Sequence, residues 1–144
     1  MTEEARGIMG ATITGKRTWF SGLSNVQCQL VFTTERIIVA RTVGQMSDPL
    51  GSATYWVTTD AERLRGLDLE TILSADEENF SVTYAEITKI EVGSKWRNSR
   101  ANVYTRTRVY KFMWTWPAKL EDVEAPLREL LPKNITLQRV NKLD

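Results

Sequence analysis

The stretch that decides the fold covers residues 26–41 and reads Val-Gln-Cys-Gln-Leu-Val-Phe-Thr-Thr-Glu-Arg-Ile-Ile-Val-Ala-Arg. Apolar and polar side chains alternate over residues 26–32, which is the period expected of a strand with one buried face. Thr33, Thr34 and Glu35 then interrupt the alternation, and a β-branched run follows over residues 36–41. The stretch therefore predicts a β-hairpin.

Further strands are predicted on both sides of this hairpin. Residues 11–20 are rich in strand formers and predict one or two early strands. Residues 80–84 alternate, and a change of phase predicts a bend or bulge over residues 85–88. Residues 101–116 alternate again, with an arginine-bearing turn at 106–108 between two antiparallel strands. The apolar face of this last stretch carries Tyr110, Phe112, Trp114 and Trp116.

A helical excursion is predicted over about residues 44–79. The composition of residues 43–51 is typical of a loop, and residues 59–62 (Thr-Asp-Ala-Glu) have the spacing of a capping box. We expect the helix that follows to be interrupted at Gly66 and to end near Ser74.

A second, amphipathic helix is predicted over about residues 120–131, ending at Pro132. An interior proline costs about 3 kcal/mol, so Pro126 indicates either a helix start near Asp122 or a kink. The tail, residues 133–144, adds a short strand or is loose.

The 144 residues fit a single domain, residues 1–144, with a core that needs neither disulfides nor metal. The chain has no histidine, which removes the usual general base, the commonest zinc ligand and every Ser-His or Cys-His pair. Its single cysteine, Cys28, lies on the apolar face of a predicted strand, where a thiol is inert. We therefore expect a non-enzyme with no catalytic residues, no metal and no cofactor.

The sequence predicts a cytoplasmic protein without a transmembrane segment. The acidic amino terminus is not followed by an apolar stretch of signal-peptide length. The longest aliphatic run, residues 37–40, is far shorter than a spanning helix. A single cysteine fits a reducing compartment.

Charge is segregated along the chain, although the formal net charge is only +1. Residues 60–91 carry nine acidic and three basic side chains, whereas residues 92–119 carry seven basic and no acidic ones. Either the two segments neutralise each other, within the fold or across a subunit contact, or the basic segment holds a ligand.

Two motifs resemble a known family. Residues 30–39, Leu-Val-Phe-Thr-Thr-Glu-Arg-Ile-Ile-Val, resemble the strand-turn-strand of prokaryotic pleckstrin-homology-like (PH-like) and GRAM-like domains. Residues 79–90, Asn-Phe-Ser-Val-Thr-Tyr-Ala-Glu-Ile-Thr-Lys-Ile, are similar to the strand and bend of the same group. The resemblance extends over about residues 11–131. It implies a mainly β (β-rich α+β) fold: a bent antiparallel sheet or partly open barrel of about seven strands, capped by the C-terminal helix.

The candidate contact residues come from the basic segment 95–111. They are Lys95, Trp96, Arg97, Arg100, Arg106 and Arg108. Cations beside aromatic rings can hold the phosphate of a lipid headgroup, a nucleotide or RNA. Trp96 lies between two cations and is the tryptophan that we most expect to be exposed. A lipid-binding version, borrowed from the resemblance, adds Lys16 and Arg17. The acidic residues 76–79 lack the spacing of a calcium loop and are expected to form a solvated turn.

Together these patterns predict a non-catalytic module that acts through surface protein–protein contacts or self-association. The expected mechanism is burial of an exposed aromatic side chain within a charged rim. The expected partner is a protein or a further copy of the chain. The alternative is binding of phosphate headgroups at a membrane surface, or of nucleic acid, through the basic segment.

Overall fold

The computed structural model describes residues 2–14, 25–41, 57–115 and 119–143. Within them lie nine strands: β1 (Ala5–Thr14), β2 (Asn25–Thr33), β3 (Arg36–Ala40), β4 (Val57–Thr58), β5 (Phe80–Thr83), β6 (Ile87–Lys95), β7 (Asn98–Thr105), β8 (Val109–Trp114) and β9 (Leu137–Lys142). The helices there are α1 (Ala61–Arg65), α2 (Leu69–Ser74) and α3 (Leu120–Leu130), with a short 3-10 turn at Tyr84–Glu86. The predicted mainly β class is confirmed.

The strands form one sheet in the order β5, β3, β2, β1, β8, β7, β6, β9, and β4 pairs with β1 beside this path. Neighbours are antiparallel except β6 and β9, which are parallel. The prediction of about seven antiparallel strands is confirmed by the path from β5 to β6. The short strand β4 is additional, and β9, which realises one of the two alternatives for the tail, makes the sheet mixed. Strands β8 and β6 run in the same direction, since each is antiparallel to β7. The helix α3 connects β8 to β9, and a helical crossover of this kind joins parallel strands. Strand β9 is therefore parallel to β6.

The sheet is strongly bent. Phe80 in β5 stacks on Tyr110 in β8, with ring centroids 5.3 Å apart, although three strands separate β5 from β8 in the sheet order. The two rings can meet only if the sheet curls around a common interior. Because β5 and β9 end the strand order, the structure is a partly open sheet rather than a closed barrel.

The main core fills the inside of this bend. Trp114 is fully buried there, and its Nε1 donates a hydrogen bond to the Gly10 carbonyl oxygen at 2.6 Å. The predicted helical cap is confirmed, because α3 places three buried side chains against this core. They are Val123, Leu127 and Leu130.

A second apolar layer lies on the opposite face of β1, β2 and β3. Leu64 of α1 and Ile72 of α2 pack there against strand residues. The strand residues are Ile8, Val31, Ile38 and Ala40. The two helices between β4 and β5 therefore cover one part of the outer sheet face.

The N-cap of the first helix lies one residue later in the chain than predicted. Asp60, not Thr59, is the N-cap, and its carboxylate accepts a hydrogen bond from the Glu62 N–H at 3.1 Å. The predicted interruption is confirmed, because α1 ends at its C-cap Gly66 and α2 starts at Leu69.

The C-terminal helix agrees with the predicted span of about residues 120–131, but a start near Asp122, one of the two alternatives that Pro126 indicated, is not what the structure shows. The Asp122 carboxylate accepts a hydrogen bond from the Lys119 N–H at 3.3 Å, which is the geometry of the third helical residue rather than of the cap. The helix therefore begins at Leu120, and Pro126 lies inside it.

The predicted hairpin, the bend near residues 85–88 and the turn at 106–108 are all confirmed. The first strand begins at Ala5, six residues earlier than predicted. There the Thr34 N–H donates to the Glu4 carbonyl oxygen at 2.9 Å and ties the amino terminus to the hairpin. The predicted loop at 43–51 lies outside the described residues.

Candidate functional site

The most exposed large apolar side chain in the described part of the chain is Trp96, at the turn between β6 and β7. Lys95 pairs with Asn98, so that Trp96 and Arg97 form a two-residue turn. The indole is 90% exposed, and its φ is 60°, the only positive value at a non-glycine residue within the described ranges. The prediction that Trp96 is exposed is confirmed.

Three cationic residues lie near Trp96, two along the chain and one on the neighbouring strand. Lys95 and Arg97 flank it in sequence, and Lys142 comes from β9, which pairs with β6 at Ser94. Lys95, Trp96 and Lys142 line a shallow cavity of about 510 Å³, together with Ser94 and Asn141. We call Lys95, Trp96, Arg97 and Lys142 the tip surface. Lys142 was not among the sequence candidates, because no local pattern reveals which strand β9 joins.

Arg100 points away from the main core in the middle of β7. It is half-buried, and its Nη2 lies 3.7 Å from the Met113 sulfur on the neighbouring strand. Its Nε is shielded from solvent and has no hydrogen-bond partner among the residues that the structure describes. Arg100 is therefore a packed face residue and does not belong to the tip surface.

The remaining two candidates lie far from the tip. Arg106 and Arg108 are in the turn between β7 and β8, at the other end of β7. The eight residues of β7 hold these two ends roughly 25 Å apart. The six candidate residues therefore do not form one phosphate site. The lipid-pocket candidates Lys16 and Arg17 lie outside the described residues.

A cavity of about 380 Å³ lies at the far end of β7, where the acidic and basic segments meet. Its lining comprises Glu77, Glu78, Asn79, Phe80, Ser81, Arg108 and Tyr110. Glu77 is exposed, and the stacked rings of Phe80 and Tyr110 form the apolar part of the lining. We call this the acidic cavity. Sequence reasoning missed it, because the bend of the sheet brings β5 over β8.

Carboxylates of the acidic segment also have partners outside the basic segment. Glu70 lies 2.9 Å from the Arg36 guanidinium, and Asp76 and Glu78 lie 3.8 and 3.7 Å from that of Arg41. Three of the nine acidic side chains of residues 60–91 are thus paired with Arg36 in β3 or with Arg41, the residue that follows it.

Shifted pKa values occur at groups that take part in the folded framework. Burial raises the pKa of the Cys28 thiol to about 12, and burial also raises the pKa of the Tyr84 phenol, which donates a hydrogen bond to the Thr33 carbonyl oxygen. Burial by itself would raise the pKa of Glu3. Hydrogen bonds from Thr33 and Arg36 and the charge of Arg36 outweigh it, so this pKa is lowered.

Within the described ranges, no three Cys, Asp or Glu side chains come together as metal ligands would. None of the helices there combines the length and the apolar composition that crossing a bilayer requires. Five aromatic residues of the sequence lie outside these ranges. They are Trp19, Phe20, Tyr55, Trp56 and Trp116.

No protein-family model matches the chain, and no curated protein matches it. Among solved structures, the fold is similar to that of the hSac2 domain from the human phosphoinositide phosphatase Sac2, with a TM-score of 0.51. The two chains are 12% identical, and the similarity covers 99% of this chain and 80% of that one. At this identity the likeness concerns the fold.

Proposed function

We propose that the chain is a non-catalytic binding module of the PH-like, GRAM-like type that docks on a protein through the tip surface. The observation that carries this proposal is Trp96, an indole 90% exposed at the turn of a hairpin. Single exposed apolar residues are common on protein surfaces, but a tryptophan at a projecting turn is a typical anchor of an interface.

The conformation of Trp96 supports a role in contact rather than in folding. A positive φ at a bulky residue costs about 1–2 kcal/mol, and two-residue hairpin turns favour glycine, asparagine or aspartate at such positions. Burial of the indole offsets little of this conformational free energy, because the side chain is almost fully exposed. The turn therefore keeps a residue that the fold does not need.

The charges around Trp96 favour a partner with an acidic surface. Lys95, Arg97 and Lys142 are the charged side chains that define the tip surface, and all three are cations. Such a rim speeds encounter with a negatively charged surface and selects the orientation of docking.

A second candidate function is docking of the same tip on the phosphate headgroups of a membrane surface. The three cations and the amphipathic indole favour it, because both are typical of protein segments at lipid interfaces. The likeness to a domain of a phosphoinositide phosphatase is compatible with it. A nucleic-acid version is less favourable, since Arg97 and Arg106 lie at opposite ends of β7.

Photo-crosslinking at the tip tests both candidates. A benzophenone amino acid at position 96, introduced in the native host, should give an adduct of defined mass upon irradiation. The same group at Lys133, an exposed residue after α3, serves as the control. A protein adduct supports the first candidate and a lipid adduct the second. If position 96 gives no adduct beyond those of position 133, the tip is not the docking site.

A further inference from the structure

Met113, near the end of β8, carries a thioether that two hydrogen-bond donors approach from the neighbouring strand. The Asn98 Nδ2 donates to the Met113 Sδ at 3.3 Å, and the Arg100 Nη2 lies 3.7 Å from the same sulfur. Both donors belong to β7, and Arg100 is the residue that pairs with Met113 across the two strands. A thioether is only a weak acceptor, so the sulfur satisfies these two donors poorly.

The guanidinium of Arg100 has a further donor at this position. Its Nε is shielded from solvent and has no hydrogen-bond partner in the part of the chain that the structure describes. Across the two neighbouring strands, Arg100 faces Gly93 and Met113, neither of which carries a carboxylate. A charged donor that is removed from water without an acceptor costs free energy. Among the described residues, this cluster is therefore richer in strong donors than in strong acceptors.

The Met113 sulfur is open to small oxidants. The side chain is half-buried on the outer face of the sheet, whereas Met9 is fully buried in the main core. Oxidation adds one oxygen to a methionine sulfur and converts the apolar side chain into a polar sulfoxide. In a core, such an oxygen disrupts the packing and has no donor to bind. At Met113, the added oxygen lies within reach of Asn98 and Arg100.

We propose that Met113 is a site of oxidation by hydrogen peroxide, and that Asn98 and Arg100 bind the sulfoxide oxygen. A sulfur lone pair attacks one peroxide oxygen, and the S–O bond forms as the O–O bond breaks. The hydroxide that leaves takes the proton of the transferred oxygen and becomes water. The sulfur is thereby oxidised and the peroxide reduced. A sulfoxide reductase restores the thioether with electrons from a dithiol, which leaves as a disulfide, and the oxygen leaves as water.

The sulfoxide oxygen joins β8 to the base of the tip turn. Asn98 pairs with Lys95 and so closes the turn that carries Trp96. An oxygen that accepts from a guanidinium forms a charge-assisted hydrogen bond, which is stronger than the contact with the thioether that it replaces. We therefore expect oxidation at Met113 to stabilise the fold, which is the opposite of the usual effect of methionine oxidation in a core.

Peroxide treatment followed by peptide mass spectrometry locates the oxidation. Met113 should gain one oxygen, whereas Met9, the internal control, should stay reduced while the protein is folded. Urea denaturation then compares the oxidised protein with the reduced one. The folding equilibrium constant should rise about fivefold on oxidation, the effect of one net hydrogen bond. Met113→Leu, given the same treatment, measures the effect of oxidation at all other residues and should show no such rise.

Variants of the two donors test where the oxygen is bound. Arg100→Leu and Asn98→Ala each remove one donor, so that oxidation should give a smaller rise in the folding equilibrium constant, or a fall. Lys111→Leu is the matched control. It removes a cation from the same face of β8, and its ammonium group is not among the described donors to the Met113 sulfur. Each variant is compared with its own reduced form, so a loss of stability from the substitution itself cancels.

Three results would overturn the proposal. Met113 resists peroxide as Met9 does, oxidation fails to stabilise the wild type relative to Met113→Leu, or a folded Arg100→Leu or Asn98→Ala variant keeps the full rise. If one of these two variants does not fold, the other decides. The proposed function is tested separately, because crosslinking at position 96 is measured on the reduced protein.

Discussion

Trp96→Asn should raise the stability of the isolated chain. The substitution replaces a bulky residue at a φ of 60° by one that adopts positive φ more readily, and it sacrifices little burial. We expect the free energy of unfolding to increase by about 0.5–1 kcal/mol. Urea denaturation measures this change. The midpoint should rise, while the dependence of the free energy of unfolding on urea concentration stays the same.

Arg97→Asn is the matched control for this prediction. Arg97 occupies the second position of the same turn, is exposed, and has no positive φ. We expect the free energy of unfolding of the Arg97→Asn variant to stay within about 0.5 kcal/mol of the wild-type value, as is usual for surface substitutions. A clear loss of stability in Trp96→Asn would show that the indole packs in the isolated chain.

At the same scale, local pattern predicted the exposure of Trp96 and the burial of Trp114 correctly. The cations on either side of Trp96 indicated exposure, and strict alternation indicated that Trp114 is buried. Pattern could not show that Arg100 packs on Met113, because that contact depends on the register of two strands. Lys142 was missed for the same reason.

Among the elements, β9 depends on a close approach to β6 at Gly93. A Cβ at Gly93 would lie 2.9 Å from the Val140 carbonyl oxygen and 3.0 Å from Leu143 Cβ. The buried Leu143 also donates its N–H to the Ser94 carbonyl oxygen at 3.2 Å. The end of β9, which carries Lys142, therefore lies so close to Gly93 that a side chain larger than hydrogen would not fit at position 93.

Gly93→Ala should destabilise the attachment of β9. Since the nearest atom is a backbone oxygen, the strand must move, and overpacking of this kind typically costs about 1–3 kcal/mol. Hydrogen exchange at residues 137–142 should become faster than in the wild type. Gly66→Ala is the control, because the nearest atom to its added Cβ lies 3.7 Å away and its φ is −79°. Equal exchange in both variants would contradict the prediction.

The elements with local signals were predictable from the sequence, and those that depend on crossovers were not. Alternation and turn residues located the hairpin of β2 and β3, and the break at Gly66 followed from the low helix propensity of glycine. The parallel pairing of β9 has no local signature, because it depends on how α3 crosses the sheet. At α3, tertiary packing of Leu127 and its neighbours outweighed the cost of Pro126.

In the whole molecule, the segregation of charge along the sequence gives different parts of the fold different charged surroundings. Strand β7 carries part of the basic segment across the sheet, so that its two ends face different surroundings. The Arg108 end faces Glu77 and Glu78, whereas the end at Trp96 lies beside Lys142. Net charge alone could not show this, because the position of each end is set by the bend of the sheet.

A network of charges also joins three distant parts of the molecule. Glu3 accepts hydrogen bonds from Thr33 Oγ1 at 2.6 Å and from Arg36 Nε at 2.9 Å. Arg36 also reaches Glu70 on α2 at 2.9 Å. The amino terminus, the hairpin of β2 and β3 and the helical layer are thus joined by one guanidinium, which is itself only 16% exposed.

This network should make stability depend on pH in the acidic range. Since the fold lowers the pKa of Glu3, its contribution is fully present above the ordinary glutamate pKa of about 4.5 and is lost as the pH falls through the lower folded value. Glu3→Gln should therefore cost about 1–2 kcal/mol at pH 7, and the difference from the wild type should shrink below about pH 4. Urea denaturation at both pH values measures it. Glu4→Gln makes the same charge change at an exposed neighbour and is the matched control. If the two variants behave alike, Arg36 does not join the amino terminus to the sheet through Glu3.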